Sequence, residues 1–222
     1  MLNLNTYKFR PTPRDALYAA CAVAAVLLAS PPQANHGKIR APLVPATIEV
    51  PAGHKAFLKG QAVGTQNYVC LPSGATFVWT LSTPQATLFN GGGDRQVITH
   101  FFSPNPDEPN TDPRVKADGM IRPVWQHSRD GSAVWAKAFP PSFDPNFVAP
   151  GAVPWLLLEI VGTQDGADGG DKLTETKYIQ RVNTGGGIAP STGCTSWTDV
   201  GSRVFVPYVA DYFFFKLDDD NN

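Results

Sequence analysis

Three of the four histidines and one aspartate are the side chains best suited to metal or acid–base chemistry. These are His54, His100 and His127, with Asp130 three residues after the last of them. Three imidazoles and a carboxylate can bind zinc or copper where a fold brings them together. None of these histidines has the short local spacing of a preformed ligand pair. The sequence leaves open a metal site on the three histidines, a hydrolytic site on His54, His100 and Asp130, or ordinary turn and strand-edge residues.

A carboxylate inside an apolar run is a second candidate for chemistry. Glu159 lies in the segment Trp155 to Val161, WLLLEIV. A buried carboxyl with a raised pKa could act as a general acid. The alternative is that Glu159 faces solvent or pairs with Arg181 or Lys177 across a hairpin. The sequence has no G-x-S-x-G nucleophile elbow, so we predict no defined reaction and no cofactor.

Aromatic residues supply a third candidate, a binding surface. The chain has five tryptophans, six tyrosines and 13 phenylalanines. Most of these rings fit a core, but exposed rings could stack on a ligand such as carbohydrate. Trp125, Trp197 and Phe143 are the candidates for such binding. The net charge of -1 gives no electrostatic basis for binding nucleic acid.

The segments that position these residues are predicted to be short strands. The chain contains 20 glycines and 21 prolines, which punctuate segments rich in β-branched and aromatic residues. Asp130-Gly131 is a strong hairpin signal, Gly64 predicts a break between two strands, and residues 103–119 predict a long loop. We find no convincing amphipathic helix. The pattern predicts an all-β fold, a single antiparallel sandwich or barrel-like domain with long Pro/Gly-rich loops.

The N-terminus predicts export. Basic residues precede the apolar run from Ala16 to Ser30, which has signal-peptide length and is short for a membrane span. We therefore predict a signal peptide over 1–34, an extended arm over 35–45, a β domain over 46–217 and an acidic tail over 218–222. The processed protein is expected in the periplasm or outside the cell, with no stable membrane span.

Export determines how the cysteines are interpreted. Cys21 leaves with the signal peptide, so Cys70 and Cys194 remain as an even pair in an oxidising compartment. We predict that they form a disulfide, with two buried thiols or part of a metal site as alternatives. The bond would tie the glycine-rich segment Tyr178 to Cys194 to the N-terminal part of the fold.

Several segments together resemble one family. These segments resemble the domain of unknown function 3455 family, a set of exported bacterial and fungal proteins. They follow the order of that family and cover most of the processed chain. The segments that carry the resemblance are Val50 to His54, Gly64 to Cys70, Trp79, Gln85 to Phe89, Thr99 to Phe102, Trp125, Asp130 to Ser132, Pro154 to Leu158, Tyr178 to Cys194 and Val206 to Phe215.

The resemblance implies a secreted domain without an established activity. Some fungal relatives carry a malate dehydrogenase label, but the nearest glycine motif here, Gly185 to Pro190, ends in proline and precedes no helical pattern. We therefore reject an NAD-dependent malate dehydrogenase. We predict a non-catalytic binding module of the envelope or extracellular space, with carbohydrate or another surface ligand as its partner. An extracellular enzyme and a structural envelope component are the alternatives.

Overall fold

The computed structural model describes residues 39–114 and 118–218. Its eight antiparallel strands form a closed barrel, in which each strand pairs with the next and the last pairs with the first. The structure thus adopts the barrel alternative of the predicted all-β fold. The strands are β1 (His54–Ser73), β2 (Thr76–Phe89), β3 (Gln96–Asn105), β4 (Met120–His127), β5 (Ala133–Ala138), β6 (Leu156–Gln164), β7 (Tyr178–Gly186) and β8 (Arg203–Leu217).

Two short 3₁₀ helices, Ala46–Ile48 and Trp197–Asp199, accompany the barrel. No described helix is long and apolar enough to cross a membrane. The predicted signal peptide, the first part of the predicted arm and residues 219–222 of the predicted tail lie outside the described residues. Asp218, the first residue of that tail, forms an ion pair with Lys55 at 3.0 Å.

Side chains alternate between the inside and the outside of the barrel, as a strand requires. One half of the interior is filled by apolar residues such as Leu88, Ile98 and Phe214. Leu173, from the connection between β6 and β7, is fully buried in the same cluster. This end of the barrel is therefore packed.

A second apolar layer covers the outside of β6, β7 and β8. Ile48, Trp155 and Phe213 are buried in this layer. Ile39 and Val44, from the described part of the predicted arm, pack against it. Because both faces of these strands are buried, consecutive residues of β8 are apolar and hidden from solvent.

Two predicted strand limits were wrong. Gly64 does not break β1, which runs through it; a Cβ at this position would collide with backbone and side-chain atoms of Gln85 and Ala86 on β2. The glycine thus permits close approach of two strands. Strand β3 continues to Asn105 and pairs Pro104 with Ile121, so the loop predicted over 103–119 begins later.

The predicted disulfide is confirmed. Cys70 and Cys194 are bonded, with their Cα atoms 5.5 Å apart and 124 positions between them in sequence. The bond joins the end of β1 to the connection between β7 and β8. It thereby fixes that connection beside the open half of the barrel.

Candidate functional site

A pocket of about 240 Å³ occupies the half of the barrel opposite Leu173. All eight strands contribute at least one residue to its wall. It reaches the surface beside Ile121, Lys137 and Ala138, which are exposed. The apolar part of the wall consists mainly of Leu81, Pro84, Phe102, Pro123, Leu156 and Leu158.

Five polar or aromatic side chains line the deeper part of the pocket, and we call them the polar cluster. All five lie on inward-facing positions of different strands: β1, β3, β4, β7 and β8. The register places Trp125 opposite His100 and Arg181 opposite Tyr212, so that the antiparallel pairing itself brings them together. The polar cluster consists of Gln66, His100, Trp125, Arg181 and Tyr212.

His100 is held as a neutral ring. Its Nδ1 atom lies 2.8 Å from the carbonyl oxygen of Val124, to which it donates. Burial, with a smaller contribution from the charge of Arg181, lowers the pKa of His100 from 6.5 to about 3. With Nδ1 carrying the proton, Nε2 keeps its lone pair. His100 is thus an acceptor near neutral pH rather than a cation.

Two donors of the polar cluster have no partner among the described residues. The indole Nε1 of Trp125 and the amide Nε2 of Gln66 are both buried without a hydrogen bond, and their side chains are only 1% and 2% exposed. Buried donors in native proteins are nearly always paired, and leaving one unpaired costs about 1–3 kcal/mol. Two more unpartnered atoms, on Trp155 and Gln180, do not line this pocket.

Arg181 brings a positive charge into the barrel. The residue is 9% exposed, and its Nε and Nη2 atoms both donate to the carbonyl oxygen of Pro154, at 3.3 and 2.8 Å. Within the described chain, no carboxylate lies within ion-pair distance of its guanidinium. A guanidinium has five N–H donors, so its hydrogen-bonding capacity is only partly used.

Two tyrosine hydroxyls lie beside the polar cluster. Those of Tyr208 and Tyr212 are 3.4 Å apart. Burial, reinforced by the Tyr212 hydroxyl, raises the pKa of Tyr208 well above its ordinary value. The Gln66 amide is near the Tyr208 hydroxyl but does not reach hydrogen-bond geometry. The Tyr208 hydroxyl is therefore neutral at physiological pH.

The predicted acid–base residues lie in three separate environments. His54, at the start of β1, donates from Nδ1 to Pro51 and packs edge-on against Tyr178. His100 belongs to the polar cluster. His127 contacts Asp130 instead, with Nδ1 and Oδ1 2.9 Å apart. In the part of the chain that the structure describes, no group of three or more His, Cys, Asp or Glu side chains could hold a metal ion.

The hydrogen bonds of Asp130 are of a kind that stabilises the fold. It accepts hydrogen bonds from the Ser132 amide and hydroxyl and from the Lys172 amide. Burial alone would raise the pKa of Asp130, but these bonds and the His127 contact outweigh it and lower the pKa. The Ser132 hydroxyl donates to the aspartate and not to a histidine, so the three residues do not form a nucleophile–base pair.

Glu159 and the candidate binding aromatics are also dispersed. Glu159 is exposed on the outer face of β6, opposite Tyr178 and Lys137. Trp197 is 74% exposed and packs edge-on against Phe77, and Phe143 is 67% exposed on another connection. Of the three predicted binding residues, only Trp125 lies in the pocket.

Sequence reasoning missed Gln66 and Arg181 as site residues. Of the alternatives for Glu159, exposure to solvent is what the structure shows. The pairing with Arg181 across the hairpin is wrong, because the two side chains are on opposite faces of the sheet. Arg181 lies two residues after Ile179 on the same inward face, but Val182 on the outer face is equally buried, so the spacing alone gave no signal. Gln66 likewise had no signal in the sequence.

The comparisons with known proteins give one result. The model of the family described as protein of unknown function (DUF3455) matches residues 51–216. This chain belongs to that family. A search of curated proteins and a search of solved structures each returned no match. The DUF3455 match includes every residue of the polar cluster, both cysteines of the disulfide and nearly all of the eight strands.

Proposed function

We propose that this DUF3455 protein is a non-catalytic binding module that holds a small, largely apolar molecule in the barrel pocket. The observation that carries the proposal is the pair of buried donors, Trp125 Nε1 and Gln66 Nε2, whose residues line the pocket and which have no hydrogen-bond partner among the described residues. A bound molecule with an acceptor group would complete both hydrogen bonds. The volume of about 240 Å³ lies just below the ~300–1,000 Å³ typical of small-molecule sites.

The chemistry of the pocket favours binding over catalysis. Its imidazole, His100, has a pKa lowered to about 3, which makes it a poor base near neutral pH. Among the residues that the structure describes, no aspartate or glutamate lines the pocket. The enzyme alternative needs His54, His100 and Asp130 in one place, and these residues have different neighbours.

The ligand class that we favour is apolar rather than carbohydrate. A sugar presents many hydroxyl groups, each of which needs a polar partner on binding. Most of the pocket wall is aliphatic or aromatic carbon. The exposed ring of Trp197 offers a stacking face for a sugar, but it packs against Phe77 and does not line the barrel pocket.

The proposed site of action is outside the cytoplasm. The Cys70–Cys194 disulfide supports this, because such bonds persist in oxidising compartments. A ligand-carrying or ligand-sensing role in the envelope or the medium agrees with the disulfide and with the pocket. It also accounts for the pocket, which a purely structural envelope component would not need.

A blocking substitution at the pocket mouth tests the proposal. Ala138 is exposed and lines the pocket, so Ala138→Trp should fill the mouth without disturbing the core. The matched control is Ala75→Trp, on the exposed turn between β1 and β2. We expect 1-octanol or 1-octanoate to bind the wild type and the control, measured by calorimetry, and to bind Ala138→Trp at least tenfold more weakly. Absence of binding to the wild type, or equal binding to Ala138→Trp, would overturn the pocket function.

A further inference from the structure

Resting on this proposed function, we infer that the ligand is a monocarboxylate whose anionic group binds Arg181 inside the barrel and whose apolar chain extends to the mouth. The juxtaposition behind this inference is a buried guanidinium that lines the same pocket as two buried donors without partners.

The charge follows from the side chains that line the pocket. Of the described side chains that line it, three carry a positive charge, Arg122, Lys137 and Arg181, and none is acidic. Arg122 is already neutralised, since it binds both carboxylate oxygens of Glu108 at 2.8 Å. Lys137 is exposed at the mouth. Arg181 is therefore the deep cation, and its charge is not balanced by a carboxylate of the described chain.

A buried cation without a counter-ion is costly, because a charge loses several kcal/mol of hydration when it leaves water. The carbonyl of Pro154 offsets part of this cost through two hydrogen bonds from Arg181. An anion in the pocket would offset the rest. Arg181 should therefore bind an acidic ligand more tightly than a neutral ligand of equal size.

The type of head group follows from the donors. Trp125 Nε1 can only donate, and the unpartnered atom of Gln66 is likewise an N–H donor. Two carboxylate oxygens, which together accept about four hydrogen bonds, can accept from these two donors and from two of the free N–H groups of Arg181. A dianionic phosphate would bring more negative charge than one guanidinium neutralises in a site of low dielectric.

The size of the apolar part follows from the volume. About 240 Å³ corresponds to about eight times the ~30 Å³ that a water molecule occupies in the liquid. A carboxylate with a further half dozen or so carbon atoms fits within the pocket. Longer chains would have to pass between the exposed residues at the mouth. We expect a medium-chain fatty acid or an aromatic acid of similar size.

A ladder of eight-carbon compounds tests the inference on the disulfide-bonded protein. Octanoate, 1-octanol, octylamine and octyl phosphate have the same chain and different head groups. Because hydrogen bonds to a charged group contribute more than neutral ones, we expect octanoate to bind at least tenfold more tightly than octanol at pH 7.5. Octylamine should bind most weakly.

Substitutions identify the binding residue. Arg181→Met should reduce octanoate affinity to that of octanol while leaving octanol binding within about threefold. Arg203→Met, an exposed arginine at the start of β8, is the matched control and should change neither. If Arg181→Met fails to fold, Trp125→Phe replaces the indole with a smaller aromatic ring and removes its N–H. The loss of ring contacts affects both ligands, so the loss of the N–H is measured by the ratio of the two affinities, and octanoate should weaken several-fold more than octanol.

The outcomes separate the two proposals. Equal binding of octanol and octanoate by the wild type would overturn the carboxylate inference and keep the apolar pocket. Tighter binding of octyl phosphate than octanoate would also overturn it, as would an octanoate preference that survives both Arg181→Met and Trp125→Phe. No binding of any of the four compounds would overturn the inference together with the proposed function.

Discussion

The imidazole of His100 lies parallel to the indole of Trp125, with ring centroids 4.1 Å apart and an interplanar angle of 9°. Both rings also contact the ring of Tyr212. The stack places the unpartnered Trp125 N–H inside the barrel and shields His100 from water. A contact between two strands thus fixes the charge of one residue and the orientation of the other.

The buried imidazole predicts a pH-dependent stability. The folded protein has the lower pKa for His100, so between pH 6.5 and 3 the unfolded chain binds the extra proton and stability falls as the pH falls. The slope is at most about 1.4 kcal/mol per pH unit for one proton. We expect His100→Gln to flatten this slope in urea unfolding between pH 6.5 and 5, a range above that in which the carboxylates titrate. His54→Gln is the control, and an unchanged slope in His100→Gln would contradict the assignment.

The disulfide predicts a large contribution to stability. In the chain-entropy model, a bond across 124 positions restricts the unfolded chain enough to contribute about 4–5 kcal/mol. We expect the double substitution Cys70→Ser, Cys194→Ser to lower the free energy of unfolding by about this amount. Thiol titration of the denatured, unreduced processed protein should find neither cysteine reactive. Two reactive thiols, or a double variant as stable as the wild type, would refute the prediction.

Replacing Asp130 should lower the stability of the fold without changing ligand binding. Its hydrogen bonds tie the β4–β5 turn to the connection that carries Leu173, at the packed end of the barrel. We expect Asp130→Ala to lower the free energy of unfolding by about 2–4 kcal/mol and to leave octanoate affinity unchanged. Asp168→Ala, an exposed neighbour in the same connection, should be neutral in both assays. A selective loss of ligand binding in Asp130→Ala would revive a functional role for this carboxylate.

Adding a side chain at Gly64 should destabilise the pairing of β1 with β2. A methyl group there would overlap the backbone of Gln85 and the side chain of Ala86, so the two strands would have to separate. We expect Gly64→Ala to cost about 1–3 kcal/mol or more of stability. Gly91→Ala has open space around the added carbon and should be close to neutral in thermal unfolding. Similar melting temperatures for the two variants would show that β1 and β2 are not tightly held at this point.

Local patterns were sufficient for the strand content, the Asp130-Gly131 hairpin and the disulfide. They were insufficient for the closure of the sheet, because β1 and β8 pair over nearly the whole length of the domain and no local pattern records that contact. A strand of a sandwich and a strand of this barrel show the same alternation. Gly64 was misread for a related reason, since its constraint comes from a neighbouring strand.

The direction of Arg181 was not predictable for a different physical reason. The outer layer covers β7 and β8, so both faces of these strands are buried and alternation of polarity is lost. Tyr212, Phe213, Phe214 and Phe215 are all buried, although only alternate ones face the interior. Without that alternation, the sequence does not show which side of the strand bears the charge.

The pairing of the first strand with the last has a consequence for how the chain folds. Strand β1, with 20 residues, has only one neighbour until residues 203–217 have been synthesised and have returned to it. Contacts so distant in sequence form slowly. Until they form, a long edge of unpaired backbone groups is exposed, which is a template for association with other chains. Closure of the barrel thus requires the pairing of the C-terminal strand as a late step. Until that step, the newly synthesised chain needs protection against aggregation.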